Sequence, residues 1–337
     1  MSSNSYSNRK LTHFNQYPYL LQHFLNYDGA IENKSIDTVK SYAYDLEFFL
    51  KYMVYIKSDE KEYPDISSID ISMLDEDFFK KITREDILEY LFYLQSERRN
   101  APRTRYRRLV SVKAFFNYLH THKKVIDNNP AYDIDSPKLD KKLPKYLTFE
   151  ECIQLLSNID STYYERDYCM IVLFLNCGIR LSELVNINLT DIRSDNTLRV
   201  TGKGSKERTV YLTDASIDAI NRYLNVRLDT EHPIIDKNAL FISPKTGQRV
   251  KKRRVQQIVS SALKSAHLDG LGLSTHKLRH TAATMMFQNG VDVRTLKEVL
   301  GHENLSTTEI YTHLNTTQLQ EAAQHNPLGN VKIEKIE

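Results

Sequence analysis

Six residues in the second half of the chain have the types needed to move a phosphoryl group onto a tyrosine hydroxyl: Arg180, Lys203, His276, Arg279, His302 and Tyr311. His276 and Arg279 stand three apart in Thr275-His276-Lys277-Leu278-Arg279-His280, on one face of an expected helix. An arginine fork matches two phosphate oxygens and never loses its charge. Histidine exchanges protons near neutral pH. His302 follows Gly301 and suits a hydrogen bond to a non-bridging phosphate oxygen. Further on, Ser306 is the expected N-cap of a helix, with Glu309 as its capping-box partner and Leu305 and Ile310 as a hydrophobic staple. That places Tyr311 near a helix N-terminus, where anions are favoured. Arg180 follows Gly178, a residue suited to ending a helix, and Glu183 stands where it can hold the arginine in place. Lys203 lies between Gly202 and Gly204, which let the backbone approach a ligand closely.

Taken singly these signals are weak. Most tyrosines pack in cores, and there are 21 here. A lysine on a turn is usually just solvated. His276 and His280 have the i, i+4 spacing of metal ligands, but Lys277 stands where a metalloprotease carries Glu, and no third ligand is evident. The glycines around Lys203 lack the spacing of a Walker A loop. No metal and no cofactor are therefore expected. Cys152, Cys169 and Cys177 form an unpatterned set and read as reduced core residues.

The elements that must position these groups are mostly helical. Residues 14–27 and 36–56 carry helical apolar spacing; in the second, Val39, Tyr42, Leu46, Phe49, Leu50 and Met53 form one stripe. An acidic, polar stretch follows over 57–82. Thr83 and Asp86 form a capping signature before Ile87, Tyr90 and Leu91. A helix over 101–121 starts with Pro102 and buries Leu109, Val112, Phe115, Phe116 and Leu119. Residues 133–146 have the composition of a linker. A second capping pattern opens at Leu147-Thr148. Residues 164–176 are apolar nearly all round, the mark of a buried helix. Residues 197–212 alternate on either side of a glycine turn, as a β-hairpin does. The remainder, to about Gln324, reads as helix, including a short one over 317–325. The expected organisation is a polar leader (1–13), a helical domain (14–132), the linker (133–146), a mixed α/β domain (147–327) and a tail (328–337).

Length, 337 residues, allows two ordinary domains, and 41 % hydrophobic with 26 % charged residues is normal for a globular protein. No apolar run is long enough to cross a bilayer, and the N-terminus lacks a signal peptide, so a cytoplasmic protein without membrane partners is expected. Net charge is only +3. Its distribution says more: seven bases and no acid lie between Arg98 and Lys113, among them Arg103, Arg105, Arg107 and Arg108. A second basic group, Lys251, Lys252, Arg253 and Arg254, precedes Gln256 and Gln257 on an expected helix. Such segregation suggests one face for a polyanion and another turned away from it.

The order Arg180, Lys203, His276-x-x-Arg279, Gly301-His302, Tyr311 resembles the tyrosine recombinase (phage integrase) family. Residues 300–314, LGHENLSTTEIYTHL, look most like its Xer branch. The resemblance spans about 147–327, with a looser one over the helical N-terminal region. It implies a mainly α fold with a small β-sheet, built as a two-domain clamp: a helical core-binding domain and a mixed α/β catalytic domain. It implies a metal- and ATP-independent enzyme that cuts and rejoins DNA through a 3′-phosphotyrosyl bond, as in chromosome dimer resolution. Arg180 and Arg279 would clamp the phosphate, Lys203 would be the general acid, His276 and His302 would assist, Tyr311 would be the nucleophile, and Glu183 would support the first arginine. Arg103, Arg105, Arg107 and Arg108 would contact DNA phosphates, with Lys251, Lys252, Arg253 and Arg254 as a second set, and Arg253, Arg254, Gln256 and Gln257 would begin a helix that enters the major groove, where Arg and Gln suit guanine and adenine edges. Implied partners are double-stranded DNA with a short inverted-repeat core site, a homo- or hetero-tetramer on two such sites with exchanged C-terminal helices, and a DNA translocase as activator. The acidic 57–82 stretch exceeds the matching loop of compact Xer proteins. The short leader leaves no room for the arm-binding domain of lambda-type integrases. Three other readings are a mobile-element integrase, a non-catalytic DNA-binding protein on this fold, and a type IB topoisomerase-like enzyme.

Overall fold

The computed structural model describes residues 16–58, 65–138, 145–202 and 206–301. Two compact units divide the chain, Met1–Lys142 and Leu143–Glu337.

The first unit contains α1 (Tyr19–Ala30), α2 (Ile36–Lys57), α3 (Glu76–Lys80), α4 (Arg84–Ser96) and α5 (Pro102–Tyr118). α1 begins only after Pro18 and runs to Ala30, beyond the expected end; Phe14 and Asn15 lie outside the described residues. On α2 the expected stripe is buried at Val39, Leu46, Phe49, Leu50 and Met53, with Tyr42 packed at its margin. Both bonds of the Thr83 capping box form: the Asp86 N–H donates to Thr83 Oγ1 at 3.2 Å, and the Thr83 N–H to Asp86 Oδ2 at 2.8 Å. The acidic stretch is more than a solvated loop, because Ile69, Ile71, Phe79 and Ile82 anchor it in the core. Isolated apolar anchors in a polar run leave no periodic signal. α5 stops at Tyr118 and widens into a single π turn, Leu119–Lys123. The expected linker leaves this unit late: Ala131 and Ile134 are still core residues.

In the second unit, α6 (Phe149–Ser157) starts at a complete Thr148–Glu151 capping box. α7 (Tyr164–Cys177) is the central helix, buried along Cys169–Leu175 and packed against α9 (Asp214–Val226) and α11 (Thr275–Gln288). Between α7 and α9 come α8 (Leu181–Asn186) and an antiparallel hairpin, β1 (Thr197–Thr201) and β2 (Glu207–Tyr211), with Leu198 opposite Val210 and Val200 opposite Arg208. α10 (Lys252–Ser265) and α12 (Val293–Leu300) complete the described α-helices.

Residues 227–251 depart from the expected helix. They form loops held by isolated bridges, Asn188 with Ala239 and Ile242 with Arg249. Pro233 and Pro244 break helical bonding. Gly247, at φ +62°, packs under Pro233 so closely that a Cβ would lie 1.9 Å from the Pro233 oxygen. The three cysteines are free and buried, and burial pushes the Cys152 thiol up to about 12. No helix among the described residues is long and apolar enough to cross a membrane.

Candidate active site

The site grows from the end of α7. There Gly178 adopts φ +57° as the helix C-cap, and a Cβ would meet Leu300 Cδ2 at 2.8 Å, so both conformation and space select glycine. Two residues on, Arg180 is the N-cap of α8. Glu183 folds back from the first turn of α8 onto it. The Arg180 N–H donates to Glu183 Oε2 at 2.7 Å, and Arg180 Nη1 donates to Glu183 Oε1 at 2.7 Å. A carboxylate at a helix N-terminus is favoured by the helix dipole.

Two further arginines reach the same carboxylate. Arg208 on β2 donates from Nη2 to Glu183 Oε2 at 2.9 Å and from Nη1 to the Val299 carbonyl at 2.5 Å. Arg279 on α11 brings Nη1 to 3.7 Å from Glu183 Oε2. Its fork also donates to the Gly178 carbonyl at 2.7 Å and the Leu300 carbonyl at 2.6 Å. These carbonyls close α7 and α12, where the helix itself supplies no donors. Arg180 Nη2 donates to the Gly301 carbonyl.

One carboxylate therefore gathers three guanidinium groups from α8, β2 and α11. Burial alone would raise the Glu183 pKa. The Arg208 charge, then the bonds from the Arg180 backbone and side chain, outweigh it and hold the carboxyl below its ordinary value. Glu183 is 1 % exposed and Arg279 3 %, whereas the Arg180 side chain is 33 % exposed. The excess positive charge is thus presented mainly through Arg180.

The structure brings Arg180, Glu183 and Arg279 together. His276 is exposed on the first turn of α11. Lys203, His302 and Tyr311 lie outside the described residues, as do the capping pattern at Ser306 and the 317–325 segment. The residues just before two of them do reach the cluster. A Cβ on Gly202 would lie 3.5 Å from Glu183 Oε1. One on Gly301 (φ +65°) would lie 2.8 Å from Arg208 Cδ and 3.6 Å from Arg180 Nη1. His280 is buried, and burial, with the Lys277 and His276 charges, lowers its pKa to about 4. Among the described residues no group of three or more His, Cys, Asp or Glu side chains could hold a metal ion.

Arg208 was not legible as a site residue from charge alone. A periodicity signal existed: it shares the inward face of the hairpin with Val210 and stands opposite buried Val200. A charged residue on an apolar face needs a buried partner.

The basic set of the first unit is corrected at one position. Arg108 is 7 % exposed, donates to Tyr90 Oη at 3.2 Å, and lies 4.5 Å over the Phe48 ring. It stands 4.0 Å from fully buried Asp45, so it is a core cation rather than a surface contact. Arg107 donates to Asp45 and to Ser41 Oγ while remaining exposed. Arg105 is half-buried and donates to Gln95, and Arg103 is exposed. In the second unit Lys251, Lys252, Arg253, Arg254, Gln256 and Gln257 are all exposed at the start of α10. Arg254 and Gln257 line a polar cleft of about 520 Å³ with Tyr163, Glu231 and Lys245.

Residues 145–318 match the phage integrase family. The chain is 46 % identical over 315 residues to a tyrosine recombinase XerC of Caldanaerobacter subterraneus subsp. tengcongensis, covering 93 % of this chain and 88 % of that relative. It is 30 % identical over 311 residues to a tyrosine recombinase XerD of Halalkalibacterium halodurans, covering 90 % and 96 %. A solved structure of XerH site-specific recombinase bound to a palindromic difH substrate shares the fold, with a TM-score of 0.67 at 23 % identity over 87 % of this chain and 81 % of that one. These matches favour the Xer reading over the integrase and non-catalytic alternatives. The chain belongs to the phage integrase family, as a Xer-like tyrosine recombinase, an enzyme of site-specific recombination.

Proposed function

We propose that Tyr311 is the nucleophile and that the arginine cluster around Glu183 is the phosphate seat of the reaction. The Tyr311 oxygen attacks the scissile phosphorus; its bond to phosphorus forms as the bond to the 5′ oxygen breaks. The phenolic proton, whose ordinary pKa is near ~10, passes to His276, and Lys203 protonates the departing 5′ oxygen. Arg180, Arg279 and His302 meet charge building on the non-bridging oxygens, a contribution of about 3 kcal/mol per well-placed donor. Glu183 holds Arg180 in place. Seating the phosphate exchanges the Gly301 and Leu300 carbonyls for phosphate oxygens at Arg180 and Arg279. The phosphotyrosyl bond conserves the energy of the phosphodiester, so religation needs no ATP.

The observation that carries this reading is the convergence of Arg180 and Arg279 on one buried carboxylate, with Gly202 and Gly301 against them. Each glycine is followed in sequence by a candidate, Lys203 or His302. The substrate is double-stranded DNA with a short inverted-repeat core site. It is gripped by a helical domain (14–132) and a catalytic domain (147–327) that close on it as a clamp. Arg103, Arg105 and Arg107 contact phosphates, as do Lys251 and Lys252. Arg253, Arg254, Gln256 and Gln257 enter the major groove. Four protomers on two sites exchange C-terminal helices in a cyclic contact, with a DNA translocase as activator, in the cytoplasm.

The test uses a nicked duplex carrying the sequence that the wild-type protein enriches from a randomised pool. Wild type should accumulate a covalent protein–DNA adduct at a 3′ end, and Tyr311→Phe should form none. An adduct of undiminished yield with Tyr311→Phe would refute the assignment.

A further inference from the structure

We infer that Arg208 is a positioning residue of the strand-transfer reaction, acting through Glu183 to keep Arg180 aimed at the phosphate. The inference rests on the proposed role of Arg180. Arg208 comes from β2, but its side chain ties two other places: the carboxylate of α8 at 2.9 Å and the last turn of α12, through Val299, at 2.5 Å. It also packs against Gly301, where a Cβ would lie 2.8 Å from its Cδ.

The three arginines are not equivalent. Arg279 stands 3.7 Å from Glu183 and spends its fork on helix-end carbonyls. Arg180 is partly solvated, and a bound phosphate would draw on its charge. Arg208 remains as the countercharge in direct contact, at 2.9 Å against 3.7 Å for Arg279, with a side chain only 14 % exposed. Glu183 must stay ionised to accept both the Arg180 backbone N–H and its guanidinium. A carboxyl this deeply buried ionises only beside a fixed cation. Among the described residues, the charged groups facing Glu183 are Arg180, Arg208 and Arg279, and the Cys177 thiol also faces Arg208.

Without Arg208, Glu183 should protonate on mild acidification, and Arg180 should lose its hold. The readout is the rate of adduct formation on the nicked duplex described above, at saturating protein, across pH, with thermal melting as a check on folding. For Arg208→Met the rate should fall about ten- to a hundredfold below wild type near about pH 6 and recover as pH rises. Arg208→Lys, which keeps the charge, should follow the wild-type pH profile. Arg208→Met in a Glu183→Gln background should show no acid deficit beyond that of Glu183→Gln alone, since no carboxyl remains there to titrate. A Met variant that matches wild type, or is slowed equally at every pH, overturns the inference. If instead Arg180→Ala leaves the rate unchanged, it is the phosphate-seat reading that fails.

Discussion

Each unit of this molecule gathers arginines around one buried carboxylate, yet the two gatherings do different work. In the first unit, Asp45 on α2 takes Arg107 and stands beside Arg108, both from α5, and also accepts from Ser111 Oγ at 2.9 Å. All these partners come from one neighbouring helix, and Arg108 is enclosed by Phe48 and Tyr90. In the second unit, Glu183 collects arginines from its own helix, from a hairpin and from α11, and leaves Arg180 partly exposed. A carboxylate that binds cations from one adjacent helix fastens two helices. One that binds cations from three separated elements leaves donors over, aimed at whatever enters.

The largest separation between the two clusters should appear with Arg180→Ala and Arg108→Ala. The first should slow adduct formation by about 10³-fold with little change in melting, as loss of a transition-state donor does. The second should leave the chemistry within about tenfold at saturating DNA but destabilise the first unit by ~3 kcal/mol, because it removes a buried cation packed over Phe48 and bonded to Tyr90 and leaves Asp45 with Arg107 and Ser111 alone. Denaturant melts monitored beside the rates decide; a shared pattern for the two variants would erase the distinction.

Glu183→Gln should cost ~3 kcal/mol at neutral pH, since it strands Arg208 and Arg279. The folded pKa of Glu183 is depressed, so its contribution is complete above the ordinary value of 4.5 and is lost as pH falls through the lower folded value. The gap between wild type and variant should therefore be constant near neutrality and narrow only in acid. A gap that widens in acid would contradict the assigned direction.

His280 acts at higher pH. Its folded pKa of about 4 lies below its ordinary 6.5, so the unfolded chain binds the proton first as pH falls. Stability is unaffected above 6.5 and declines between 6.5 and about 4, by ~3 kcal/mol at most. Unfolding curves of His280→Asn should lack that decline; an unchanged decline would place the titration elsewhere.

The smallest effects concern DNA affinity. Arg103→Gln should reduce the slope of log affinity against log salt by about one, and Arg108→Gln should leave it unchanged. Equal slopes for the two variants would restore Arg108 to the contact set.

The contrast also explains what was readable in advance. Helices with strong periodicity or side-chain caps, such as α2, α4 and α6, follow from local chemistry, as does the hairpin around Gly202. The convergence of Arg180 and Arg279 was legible only as a pattern of types and spacing. Local rules do not say that Gly178 lets α7 turn back under Leu300. Arg208 is silent in the sequence and Arg108 reads as a surface cation for a common reason: exposure depends on which long-range partner a charge meets. Residues 227–251 lie between helical segments, and only Pro233, Pro244 and Gly247 mark them as loop.

The central claim, that Arg180 serves the phosphate rather than the fold, is tested most directly by replacing the scissile phosphate with a neutral methylphosphonate. Adduct formation by wild type and Arg180→Ala would be compared on both DNAs. If the guanidinium neutralises a non-bridging oxygen, the deficit of Arg180→Ala should shrink from about 10³-fold to roughly tenfold or less on the neutral DNA. A deficit of the same size on both DNAs would contradict the account.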